Sequence, residues 1–130
     1  TVAPAGPWQV TMQIGVTGEG HYAGADGWTA CLDPRALEEG ATDALTVRAW
    51  RPGDRIQPLG MRGQKKLQDL FTDLRVPRHW RERVPILESA RGIVWVVGHR
   101  IADWAKVDTE VYGAAAVLRV RFSLIRDQIL

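Results

Sequence analysis

The chain has 130 residues, 45% of them apolar, with one cysteine and a formal net charge of +2. That is enough for a single globular domain with a real core. It excludes an internal disulfide, and no apolar run approaches the roughly 20 residues of a membrane span. The lone Cys31 fits a reducing, cytoplasmic setting, and no charged-then-apolar segment opens the chain, so no secretory signal is expected. Thr1 is not a methionine and residues 1–7, with APAGP, read as linker. The chain is therefore expected to be a piece of a longer protein, with one domain over residues 8–130.

Trp8 to Val16 alternates apolar and polar residues, with Trp8, Val10, Met12, Ile14 and Val16 in phase, and predicts a half-buried strand. Thr17 to Gly27 is glycine-rich and reads as a loop. Trp28 to Asp33 is a second strand, ending where Asp33-Pro34 begins a turn. Arg35 to Asp43 reads as a helical turn or irregular chain, and Leu45 to Trp50 as the third strand. Further on, Pro85 to Glu88 and Ile93 to Val97 form a hairpin around the turn Ser89 to Gly92, and Arg100 to Trp104 continues as an edge. Ala114 to Ile125 is the last long strand. Its apolar sets do not alternate cleanly, and the buried face is not legible. The sum is an α+β, mostly β domain: a β-sandwich or partly closed barrel carrying two short helices.

Between these β-segments lies a centre of different character. From Arg48 to Arg83 ten Lys/Arg stand against four acids, an excess of six, while the rest of the chain carries an excess of four acids. The small net charge thus hides a polarised molecule whose basic face suits an anionic partner. Arg51-Pro52-Gly53-Asp54 is a turn: Pro52 presets φ and Gly53 accepts the positive φ of a type II turn. Gly60 and Gly63 bracket Met61-Arg62 in a further loop. From Gln64 to Leu74, Leu67, Leu70, Phe71 and Leu74 recur at helical spacing and predict a helix docked by one apolar stripe. Lys65 and Lys66 fall in its first turn, where the helix dipole disfavours cations. With Arg62 and the free N–H groups after Gly63 they could form a phosphate site; the plainer alternative is that both lysines point into water. Pro77 opens a second short helix, Arg78 to Arg83, on which Arg78 and Arg81 share a face while Trp80 and Val84 face the core. Two arginine forks on one face suit phosphate oxygens, although each arginine taken singly is more readily a surface ion-pair partner of Glu82 or Glu88, and the case rests on the cluster. The candidate anion-binding set is therefore Arg51, Arg55, Arg62, Gly63, Lys65, Lys66, Arg78 and Arg81, on turns shaped by Pro52, Gly53, Asp54 and Gly60.

Other chemistry is sparse. His21, His79 and His99 are scattered and Cys31 has no partner at motif spacing, so no metal site is expected. Asp54, flanked by Arg51 and Arg55, reads as an Asx turn or ion pair holding the loop rather than a catalytic carboxylate. Asp69 and Asp73 read as solvated, and no nucleophile–base pair is apparent. The six tryptophans read mostly as core, with Trp104, near an edge, left open as a base-stacking residue.

The string from Arg51 to Leu87, followed by GIVWVVGHRIADWAKV, resembles the C-terminal domain of tRNA(Ile)-lysidine synthetase. The family pattern falls on Arg48 or Arg51, then Gly53, Asp54, Arg55, Pro58, Gly60, Gly63, Lys65, Lys66, Leu67, Asp69, Phe71, Val76, Pro77, Arg81, Val84, Pro85, Trp95 and Gly98, with the resemblance strongest over residues 31–107. It implies a β-rich domain of the type shared with the phenylalanyl-tRNA synthetase β-subunit. It also implies a parent enzyme that uses ATP (with Mg) and L-lysine to convert cytidine 34 of the isoleucine tRNA into lysidine. The family's catalytic domain carries a pyrophosphate-binding loop of the S-G-G-x-D-S kind, and no such string occurs in this chain. The resemblance therefore implies a non-catalytic accessory role with no cofactor of its own. Such a domain would grip the tRNA, on its acceptor arm, beside the N-terminal catalytic domain of the same protein and away from any membrane. The alternative from another class is a protein-interaction module that docks an acidic partner or neighbouring domain through the same face.

Overall fold

The computed structural model describes residues 8–16, 28–33, 45–106 and 116–124; the expected loop 17–27 and segment 35–43 lie outside them. Nine strands, two short helices and a 3₁₀ turn follow in chain order: β1 (Trp8–Val16), β2 (Thr29–Leu32), β3 (Thr46–Arg48), β4 (Arg55–Ile56), β5 (Lys65–Lys66), α1 (Leu67–Asp73), α2 (Arg78–Arg81), β6 (Ile86–Ser89), β7 (Gly92–Val96), β8 (Arg100–Ile101), the 3₁₀ turn (Asp103–Ala105) and β9 (Ala116–Leu124). They make a three-stranded sheet β1-β9-β2, a four-stranded sheet β3-β6-β7-β8 and a two-stranded ribbon β4-β5, every pairing antiparallel. The expected mostly-β architecture with two short helices is the observed one.

The register of the first sheet settles the buried face of β9. Leu118, Val120 and Phe122 are buried, while Arg119 and Arg121 alternate outward. Ala30 and Leu32 of β2 stand opposite Val120 and Leu118 on the buried side. Phe122 meets Trp95 of β7 edge-on at 5.4 Å between ring centroids and Trp8 at 6.2 Å, which joins the two sheets across the core. Ile93 to Val97 is buried throughout, as its continuous apolar run requires of a strand covered on both faces. The hairpin β6–β7 carries one irregularity, at Leu87/Glu88. β8 adds a short edge before the chain turns at Asp103.

The predicted helix is shorter than its periodicity suggested. Leu67, Leu70 and Phe71 are buried in α1 as the stripe requires, but Lys65 and Lys66 precede it as strand β5, pairing with Ile56 and Arg55. The ribbon's hydrogen bonds hold both lysines out of a first turn in which the helix dipole would oppose them. Asp69 occupies that turn instead, where the dipole favours an acid.

Candidate nucleic-acid interface

The turn at the head of the ribbon is built as its residues dictate. The Asp54 N–H donates to the Arg51 carbonyl at 3.1 Å, and Gly53 takes φ 93°. Gly60 likewise takes φ 84° in a turn closed by the Met61 N–H on the Pro58 carbonyl. The loop carrying Arg62 is tied down from both sides. Gln57 donates its side-chain amide to the Met61 carbonyl, and the Asp103 carboxylate accepts from the Gly60 N–H at 3.0 Å. That N–H and Lys106 hold the Asp103 carboxyl below the ordinary range against the opposing effect of burial.

Asp54 holds its loop through a different partner from those expected. Its oxygens accept two hydrogen bonds from the Arg48 guanidinium, at 2.9 and 3.0 Å, and one from the Arg51 backbone N–H at 2.7 Å. The side chains of Arg51 and Arg55 do not pair with it. Arg48 grips Glu88 of β6 at the same time, at 3.0 and 3.1 Å, so one guanidinium locks the ribbon's entry turn to the four-stranded sheet. Burial pushes the Asp54 carboxyl up, but the Arg48 bonds and charge and the Arg51 N–H outweigh it and hold the carboxyl below its usual range. The two carboxylates push the Arg48 guanidinium further up still.

The ten bases of the centre separate into structural and available groups. Arg48 is committed to Asp54 and Glu88, and Lys65 pairs with Asp73, which is exposed as expected and carries this ion pair besides. Arg81 is buried at 9% exposure. Its Nε donates to the Val76 carbonyl at 3.0 Å, its far nitrogen reaches Thr72, and its guanidinium lies 5.6 Å from the Phe71 ring centroid. It therefore does not share a surface with Arg78, which is exposed; the expected pair of forks is split. Trp80, placed in the core by sequence spacing, is 47% exposed instead. A four-residue helix has too little length for its phase to be read from sequence. Seven bases remain, Arg51, Arg55, Arg62, Lys66, Arg75, Arg78 and Arg83. All are exposed, and none has a carboxylate partner among the described residues. Arg55 and Lys66 stand directly opposite each other on the ribbon. Like charges so paired destabilise a sheet, and a bound anion would relieve that repulsion.

Residues 45–120, more than half of the chain, match the family described as TilS substrate C-terminal domain. The chain belongs to this family. Similar relatives include the tRNA(Ile)-lysidine synthase of Dehalococcoides mccartyi (strain CBDB1), 45% identical over 68% of this chain and 18% of that protein. Another is that of Symbiobacterium thermophilum, 52% identical over 42% of this chain and 11% of that protein. A crystal structure of a TilS C-terminal domain superposes with TM-score 0.69 at 27% identity, covering 92% of this chain and 85% of that one. The chain spans less than a fifth of the length of either synthase.

Two features of the family fold here carried little signal in the sequence. Arg119 and Arg121 line an outward groove of about 430 Å³ on the three-stranded sheet with Gln9, Thr11, Thr29 and Ser123. Only their two-residue spacing on a strand could have flagged them. Trp104 is covered by the Arg91 guanidinium at 4.4 Å from its ring centroid. Among the described residues no group of three His, Cys, Asp or Glu could hold a metal ion. No described helix is long and apolar enough to cross a membrane.

Proposed function

We propose that the chain is the tRNA-binding accessory domain of a tRNA(Ile)-lysidine synthase and contacts the acceptor arm of its tRNA through the basic centre. The observation that carries this reading is the set of seven exposed bases between Arg51 and Arg83 without a carboxylate partner among the described residues. Arg55 and Lys66 stand on the strands of the ribbon, and Arg51 and Arg62 on the turns beside it, which Pro52, Gly53, Asp54 and Gly60 fix in place. Gly63 keeps the backbone beside them free of side-chain bulk, with open space where a Cβ would sit. A-form RNA exposes phosphates and 2′-hydroxyls rather than a readable major groove, so a rigid cationic surface recognises its shape. Lys65 supports this surface through Asp73, and Arg81 supports the α1–α2 junction from inside. In this reading the parent enzyme brings ATP, Mg and L-lysine to a catalytic domain elsewhere in the protein, and this domain performs no adenylation itself.

Titration against isoleucine tRNA, its acceptor minihelix and its anticodon stem-loop at two salt concentrations tests the reading. Salt-sensitive binding to the tRNA and the minihelix, with the stem-loop weak, is expected. The double variant R55Q/K66Q should lose about tenfold in affinity while its melting temperature holds or rises, because the repulsive cross-strand pair is removed. Unchanged affinity in that variant would refute the assignment and favour a protein partner for the same face.

A further inference from the structure

Between the two helices and the four-stranded sheet the surface sinks into a recess of about 350 Å³. Its lining is largely apolar: Val76 and Pro77 from the α1–α2 junction, Val97 after β7, and the ring of Trp28, which lies 3.7 Å from where a Cβ on Gly98 would stand. Trp80 borders it with nearly half its surface exposed, and the Arg83 guanidinium sits 4.9 Å from the Trp80 ring centroid. Arg75 and Arg83 bring two exposed cations to the same recess. His99, half-buried, also lines it; burial and the charge of Arg100 push its imidazole down, leaving a neutral ring that can donate or accept one hydrogen bond.

The backbone at Arg75 points to the same place. The helix α1 ends in two closing bonds, Val76 N–H to the Phe71 carbonyl at 2.9 Å and Arg75 N–H to the Thr72 carbonyl at 3.1 Å, with Arg75 itself left-handed at φ 58°. This is the helix-ending motif whose left-handed position is ordinarily glycine. An arginine there bears a steric cost that glycine would not, and a cation is thereby placed at the recess.

We propose that this recess receives one unpaired nucleobase of an RNA, stacked against the Trp80 indole, with the adjoining phosphate held by Arg75 and Arg83. The inference rests on the reading of the basic centre as an RNA surface and names a second kind of contact within it. Aromatic rings and arginine planes stack on any base face, and single-stranded ends offer bases free to leave their own stack. The two cations match a phosphodiester, and among the described residues no acid lines the recess to oppose it.

The test uses two RNA hairpins of one stem sequence, one blunt and one with a short single-stranded 3′ extension, titrated against the wild-type chain and the variants W80A, W80F and R75G. The extended hairpin should bind the wild type about tenfold more tightly than the blunt one, within the range of one base–aromatic stack. W80A should erase that preference and leave blunt-hairpin affinity unchanged, and W80F should keep most of it. R75G should weaken the extended complex while its melting temperature stays level or rises, an outcome no purely structural role for Arg75 predicts. Equal affinity of the wild type for the two hairpins, or a preference that survives W80A, overturns the inference while leaving the basic surface standing. Absence of binding by both hairpins overturns both readings.

Discussion

Replacing Asp54 by Asn probes the lock between the ribbon and the four-stranded sheet. The substitution keeps the size of the side chain and an acceptor for the Arg51 N–H but removes the charge that binds Arg48. An exposed ion pair is worth about 0.2–1 kcal/mol, and breaking a fully buried one costs about 3–5 kcal/mol. The Arg48 and Asp54 side chains are 14% and 13% exposed, near the buried limit, yet Arg48 keeps Glu88 at 3.0 Å and is not left uncompensated. The expected loss at neutral pH is therefore about 2 kcal/mol, or roughly 8 °C in melting temperature for a domain of this size. The pH dependence has a definite sign. A carboxyl held low in the folded state contributes stability that is full above its unfolded pKa of about 3.9 and disappears as pH falls through the folded value. Melting curves by circular dichroism from about pH 7 to about pH 3 should show the gap between wild type and D54N holding level, then closing below about pH 4. A variant that melts with wild type at neutral pH, or a gap that stays constant to the acid limit, would refute the argument.

Arg78 and Arg81, three residues apart, should behave oppositely. R81A is expected to destabilise by about 2–3 kcal/mol, since it strands the buried Val76 carbonyl and opens a gap over Phe71; chemical denaturation measures it. R78A should melt like wild type and lower the salt dependence of RNA binding by about one phosphate's worth of slope. Gly53 has open space where a Cβ would sit but a backbone at φ 93°, so G53A should cost about 1 kcal/mol through conformation alone. A melting temperature equal to wild type would show that the turn relaxes.

Local chemistry determined a good deal of this protein. The Pro52-Gly53 turn, the hairpin from Ile86 to Val96 and the apolar stripe of α1 were each legible because their signals lie within a few neighbouring residues. Proline and glycine set φ directly, and periodicity reports which face is covered. The concentration of bases between Arg48 and Arg83 was equally plain, and with it the ground for proposing an anionic partner. The tertiary structure decided which of those bases are available. Arg48 finds Glu88 forty positions away, Lys65 finds Asp73 only because the ribbon delivers it there, and Arg81 turns inward while Trp80 turns out. The buried side of β9 carries Leu118, Val120 and Phe122, and their alternation with Arg119, Arg121 and Ser123 was blurred in the sequence by the apolar residues flanking them at 114–117 and 124–125. A charge or an indole has no address in the sequence. Its exposure depends on what the rest of the chain packs against it, and that is settled only when the core closes.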